Sequence, residues 1–325
     1  MNKQNPNSKV GLSRMRAFLF WSCALMVLLI GCAEKDDFPV LKGPYLGQEP
    51  PGKTPEIFAP GIVCTEKNEG YLVFLNHGRV LVFDRWLPQT EESNPYYVME
   101  MRDGRWTRPR PSSHKLNPYD PHLPITPDER ILFFALNRST DGMGESETGW
   151  DIWMTKWTDQ GFSHIRRLEE PVSSEKRDAW ASLAQNGNLY FMSNRDGSYG
   201  RWDIYKAEYE DGQYVNVQNI GHPVNSDVSD ADPAIAPDES YLLFCSHRPG
   251  GFGESDLYIT FRKQDGSWTT PQNMGPGINT PADEEKPYVT PDGKYLFFSN
   301  DAPGNLEIYW VDAKIIEKLK PKIPE

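Results

Sequence analysis

The chain has 325 residues, of which 38% are hydrophobic, 12% aromatic and 25% charged, with 28 prolines and 26 glycines. That composition excludes a disordered chain and points to many short strands and turns rather than long helices. A formal charge of −12 argues against a nucleic-acid surface, which needs clustered Lys and Arg.

The first segment is set apart from the rest. Lys3, Lys9, Arg14 and Arg16 precede the uncharged run AFLFWSCALMVLLIG, which ends at Cys32. A basic start, an apolar stretch and a small residue before the cleavage point read as a secretory signal over residues 1–31. A transmembrane anchor is the alternative, but the run is short of the roughly 20 residues that span a bilayer. Leu29-Ile30-Gly31-Cys32 resembles the lipobox of bacterial lipoproteins. The resemblance implies cleavage before Cys32, lipidation of its thiol and attachment to a membrane through that lipid. Losing residues 1–31 removes four positive charges and no negative one, which takes −12 to about −16. Cys64 and Cys245 then remain, neither a disulfide framework nor a metal knuckle, and both read as small buried residues. Residues 32–51, rich in Pro and Gly, read as a flexible tether.

From residue 52 the chain repeats itself. Aligned on a Pro-Asp turn, Asp128, Asn186, Asp238 and Asp292 recur at intervals of 58, 52 and 54 residues, and a weaker copy places His77 51 residues before Asp128. Each copy has a short apolar segment before the turn, such as Ala234-Ile235-Ala236. An apolar-aromatic segment follows it, such as Leu242-Leu243-Phe244. A third segment opens on an acid, as in Asp203-Ile204-Tyr205, and a fourth follows a glycine, as in Gly212-Gln213-Tyr214. Four short strands per unit at a period near 50 predict the blades of an all-β propeller. One such sheet cannot bury both faces alone, so the blades must pack around an axis. The last copy lacks a fourth strand, and Thr54–Ile62 (TPEIFAPGI) matches Thr270–Ile278 (TPQNMGPGI) at five of nine positions. The chain's first strand is therefore expected to complete its last blade, removing two open edges. Five blades are counted over residues 52–313, with six as the alternative. Residues 314–325 form a tail whose Ile315, Ile316 and Leu319 can lie as a helical turn against the ring.

The combination of Pro-Asp-Gly, Leu-x-Phe, Ser-x-Arg and Asp-Ile-Tyr resembles the PD40 (WD40-like) repeats of the TolB type. Ser193-Asn194-Arg195 and Ser246-His247-Arg248 carry the Ser-x-Arg step, and Leu136-Asn137-Arg138 a variant of it. The chain departs from the pattern at Asn76-His77-Gly78 and at Asp301, which stands near the expected Arg. The resemblance implies a propeller used as an envelope adaptor or lipoprotein, while some related propellers are polysaccharide lyases.

Eight residues before each turn position stand Glu69, Asp120, Asp178, Asp230 and Glu284, all acidic. In a propeller this position lies in the loop between one blade's outermost strand and the next blade's innermost strand, at the mouth of the channel. Exposed there, five carboxylates would make a focused negative patch for a cation or a basic partner. Asp178→Lys with Asp230→Lys would then leave the fold intact and weaken capture. The competing use is structural, since Arg138, Arg195 and Arg248 and the acids Asp151, Asp203 and Asp256 flank each Gly-rich loop and could pair among themselves. The loops between second and third strands also carry Trp150, Tyr199, Trp202 and Phe252. These rings either cover the blade ends or offer stacking surface for a sugar. None of the six histidines has HExxH spacing, and no GxSxG elbow or phosphate loop occurs, so no catalytic residue, metal or cofactor is assigned.

These observations favour a lipid-anchored envelope propeller that acts as a non-enzymatic scaffold for a protein partner. A glycan-binding or glycan-cleaving propeller is the alternative. Lys35-Asp36-Asp37 is similar to acidic export signals, which leaves the periplasm and the outer face of a Gram-negative outer membrane both open.

Overall fold

The computed structural model describes residues 38–85, 96–112, 131–136, 149–158, 161–302 and 304–321. Residues 39–325 form one compact unit, and residues 1–38, a separate unit, lie almost wholly outside the described residues, Cys32 among them.

Five antiparallel sheets make a five-bladed propeller. Blade 1 runs through Leu72–Leu75, Val80–Asp84 and Tyr96–Arg102, with Arg105–Trp106 and Arg110–Pro111 outermost. Blade 2 has Ile131–Leu136, Asp151–Thr158 and Gly161–Arg167 among the described residues. Blade 3 is Asp178–Leu183, Leu189–Ser193, Asp203–Glu210 and Gln213–Asn219, and blade 4 is Asp230–Ile235, Tyr241–Ser246, Asp256–Phe261 and Gln272–Asn273. Blade 5 takes Glu284–Val289, Tyr295–Asn300 and Glu307–Asp312 from the end of the chain and Glu56–Ile57 from its beginning. Glu56 lies opposite Trp310 and Ile57 opposite Tyr309, so the expected closure of the ring is present.

Alternation along each second strand explains the packing. Tyr190 faces blade 4 with Leu242, Phe244 and Trp268, while its neighbours Leu189 and Phe191 face blade 2 with Phe133 and Leu168. Each blade thus presents an apolar wall on both sides, which only neighbouring blades can cover. Residues 221–225 and 275–279 add a polar clip. The Asn225 carboxamide both accepts from Ile204 N (2.9 Å) and donates to Ile204 O (2.8 Å), and Asn279 does the same at Leu257. At the ring's seam Cys64 takes this place, its thiol between the backbone N and O of Ile308. Cys64 and Cys245 are both free and buried.

Of the segment expected as a tether, the part from Leu41 is packed against the ring. Trp106 donates from its backbone N to Leu41 O (3.0 Å) and from its indole to Gly43 O (2.8 Å). Tyr45 packs its ring 4.7 Å from Tyr295 and 5.0 Å from Phe74 and donates to Asp292 Oδ1 (2.9 Å). Gly47 permits the tight turn, for a Cβ there would lie 2.1 Å from Lys42 O. At the other end the helix Lys314–Leu319 lays Ile316 against the wall of blades 4 and 5.

Candidate functional site

In an antiparallel blade the first strand starts on the same side as the second-to-third loops and the blade-to-blade linkers. This side is the loop face, and the opposite one, with the Pro-Asp and strand 3–4 hairpins, is the turn face. All the described candidate residues belong to the loop face.

Four of the five acidic candidates are described, and each is 0% exposed. Each closes a short arch with a hydroxyl residue four positions earlier. Thr65 donates its N and Oγ1 to Glu69 (3.0 and 2.7 Å), and Ser174 does so to Asp178 (2.7 and 2.8 Å). Ser226 repeats the arch on Asp230 (2.6 and 2.7 Å), and Thr280 on Glu284 (2.9 and 2.6 Å). The backbone N of each acid donates to a carbonyl of the preceding blade: Glu69 to Leu306 O, Asp178 to Trp150 O, Asp230 to Trp202 O and Glu284 to Ser255 O. The acids are latches that hold the linker to the strand and one blade to the next.

Cations complete three of them. Arg85 Nε lies 2.5 Å from Glu69, Arg195 2.6 Å from Asp178 and Arg248 3.1 Å from Asp230. Each guanidinium also lies over a pair of rings, Arg85 over Phe83 and Tyr97, Arg195 over Phe191 and Tyr205, Arg248 over Phe244 and Tyr258. Glu284 has Thr280 and the Asn300 amide instead and, among the described residues, no cation, and burial pushes its carboxyl up to about 7. Burial also raises Asp230, against the pull of Arg248.

Two expectations are corrected by this geometry. The four described acids do not form an open negative patch, because their oxygens face inward to these donors; Asp120 lies outside the described residues. Arg195 and Arg248 pair with these acids rather than with Asp203 and Asp256, which open the third strands; Arg138 lies outside the described residues, and Asp151 pairs with Arg167 at 2.7 Å. Asp203 instead accepts from Tyr199 N, Gly200 N and Asn219, and Asp256 from Phe252 N, Gly253 N and Asn273. Both loops need glycine at one point: a Cβ on Gly200 would lie 1.7 Å from Val228 O, and on Gly253 2.0 Å from Ala282 O.

Those loops hold the aromatic candidates in two ways. Tyr199 and Phe252 stand out in solvent, 50% and 44% exposed, and Tyr199 packs on His222 at 4.5 Å. Trp150 and Trp202 are half-buried and gather with Trp180 on Ala135, Ala179 and Met192, the Trp150 and Trp180 rings 6.1 Å apart. Trp180 was not among the candidates. It sits two residues after Asp178, where the first strand bulges, and Asp232 and Lys286 hold the same place after Asp230 and Glu284; all three have positive φ. The spacing was present in the sequence, but nothing in it marks a bulge. Asp232 accepts from Lys286 N (3.1 Å), and burial together with Glu285 pushes its carboxyl up to about 7 against the opposing charge of Lys286. Among the described residues no His, Cys, Asp or Glu cluster has the arrangement of a metal site.

No protein-family model and no curated protein matches the chain. Solved structures do. TolB from Acinetobacter baumannii is 15% identical with a TM-score of 0.47, over 77% of this chain and 55% of that one. The chain thus spans little more than half of that protein. A protein of unknown function from Dyadobacter fermentans is 14% identical at a TM-score of 0.46, over 81% of this chain and 83% of that one. The alpha-L-arabinofuranosidase of Lactobacillus brevis is 12% identical at 0.45, over 71% and 82%. All three stand below a TM-score of 0.5, and the five-bladed assignment rests on the sheet order itself.

Proposed function

We propose that the chain is a non-enzymatic binding propeller whose loop face docks a protein partner. One observation carries the reading. Glu69, Asp178, Asp230 and Glu284 are held in the latches, while the loops they fix in place present Tyr199 and Phe252 to solvent. Exposed aromatic side chains on a rigid frame supply contact area with little entropy to lose. A glycan-cleaving site needs two carboxyl groups free to act as acid and base, and the four described ring acids have no such freedom.

The test is capture of a binding partner in cells by the full chain and by Tyr199→Ser with Phe252→Ser. Capture should fall at least tenfold while the melting temperature stays within about 2 °C, since both side chains lie at the surface. Unchanged capture would remove the loop face from the interface. New reducing ends released from a polysaccharide panel would replace this reading with the glycan one.

The proposal includes the anchor: Cys32 carries lipid and holds the propeller at the cell envelope, in the outer membrane of a Gram-negative bacterium. Metabolic labelling with an alkyne fatty acid checks it. Label should be lost in Cys32→Ser; label that persists there would place the lipid elsewhere on the chain, and an unlabelled unmutated protein would remove the anchor.

A further inference from the structure

The turn face has an equivalent seat at each of the four described junctions between blades. It is lined by two positions of the second strand of one blade and a neighbour on its third strand. The next blade adds the residue five after its latch acid and the one two after its strand 3–4 glycine. At the junction of blades 5 and 1 these positions are Tyr295, Phe297, Trp310, Phe74 and Trp106, and the chain's own segment fills the seat with Tyr45. Where blades 4 and 5 meet, Tyr241, Leu243, Ile259 and Val289 are covered by Ile315, Ile316 and Leu319 of the C-terminal helix. Between blades 3 and 4, Tyr190 and Trp268 meet at 6.5 Å, and Glu239 ties Tyr190, Asn188 and Arg262 into a plug.

The fourth described junction, between blades 2 and 3, is filled by none of the described residues. Its positions are Ile131, Phe133, Met154, Leu183 and Tyr214, and they line a cleft of about 690 Å³, a volume suited to a small ligand or a few side chains. Phe133 and Leu168 make an apolar floor, 3% and 4% exposed, and Tyr209 stands at the edge, 45% exposed with its ring 5.2 Å from Tyr214. Around the rim, Gln185, Gln213 and Arg166 have side-chain donors committed to no hydrogen bond or ion pair among the described residues.

We propose that the cleft between blades 2 and 3 is a peptide-docking seat, which takes a short segment of a partner protein through one aromatic or long aliphatic anchor residue. Two of its three equivalents are filled by polypeptide carrying such residues, Tyr45 in one and Ile316 in the other. The free carboxamides of Gln185 and Gln213 can each meet a backbone N–H and C=O, the groups a bound peptide must satisfy. The seat is on the turn face and does not depend on the loop-face reading.

Photocrosslinking tests it, with benzoyl-phenylalanine introduced at exposed Gln213 of the full chain in cells and the adduct sequenced by mass spectrometry. The expected adduct is one defined partner segment with an aromatic or aliphatic residue at the crosslink. Its yield should fall at least tenfold in Leu183→Trp, which plugs the seat, and persist in Tyr199→Ser with Phe252→Ser. Tyr209→Ala with Gln185→Ala, both at exposed positions, replaces the plug should Leu183→Trp fail to fold. A glycan adduct, an adduct to this chain's own peptides, no adduct, or a partner adduct indifferent to both variants would each overturn the proposal. Loss of the adduct in the loop-face variant would assign it to that face instead.

Discussion

Arg195 meets Asp178 Oδ1 (2.6 Å) and the carbonyls of Val172 (2.5 Å) and Pro171 (3.1 Å), so one side chain ties the linker to the blade. Breaking such a buried pair by removing one partner costs about 3–5 kcal/mol, against a total stability of about 5–15 kcal/mol for a domain. Asp178→Lys with Asp230→Lys should therefore abolish the cooperative thermal transition in circular dichroism, and an intact native melt would return these carboxylates to the surface. Blade 5 invites the opposite change. Phe298 and Tyr309 stack at 5.9 Å as the ring pairs under the arginines do, and Ala302 stands two residues after Asn300, as Arg195 and Arg248 stand two after Ser193 and Ser246. Ala302→Arg should supply the missing cation and stabilise the protein at pH 8 by about 1–2 kcal/mol. The pH dependence has a definite sign. Glu284 rises from 4.5 to about 7 on folding, so between those values the folded state binds more protons and stability falls as pH rises. The Arg variant should lose that part of the fall; melting temperatures of both proteins from pH 4.5 to 8 check it. Asp232 contributes the same sign in both, so the difference between the two proteins is the readout. The hydroxyl-x-x-x-acid spacing was visible in the sequence, but a carboxylate four residues after a hydroxyl suits an exposed turn equally well. Burial decides, and burial is set by the neighbouring blade.

The closing strand was legible because its sequence repeats that of Thr270–Ile278, and a repeated pattern implies a repeated place in the sheet. Its energetic weight was not. Phe58 is 0% exposed, with its ring 5.1 Å from both Phe297 and Trp310. Phe58→Ala should cost about 3–5 kcal/mol and loosen the seam, lowering the urea midpoint and opening the N-terminal segment to protease before the remaining blades. A cut pattern like that of the unmutated protein would show that the strand pairing with Tyr309 and Trp310 suffices. The segment around Tyr45 reads as a tether because Pro and Gly are all the local sequence offers. Its ring partners Phe74, Tyr295 and Trp310 lie about 30 to 265 residues away, and no local pattern reports such contacts.

At the scale of the molecule, the seam makes the ring one cooperative object. Without residues 41–60, blade 5 would lose its outer strand and the junction of blades 5 and 1 its Tyr45, leaving bare strand edges. That deletion should give a chain that aggregates or binds a hydrophobic dye at neutral pH, and a soluble, sharply melting product would show that four blades and a partial fifth close without it. Sequence alone determined the four-strand unit and the closure and narrowed the count to five blades or six, because turn residues and alternating apolar positions act within a few residues and recur in each blade; the five sheets of the structure decided the count. Tertiary structure alone decided that the acids are latches, that Trp180 joins Trp150 and Trp202, and that one described junction is filled by none of the described residues. Those outcomes depend on which side chains from separate blades share a volume, and packing of that kind is set by the closed ring rather than by any stretch of chain.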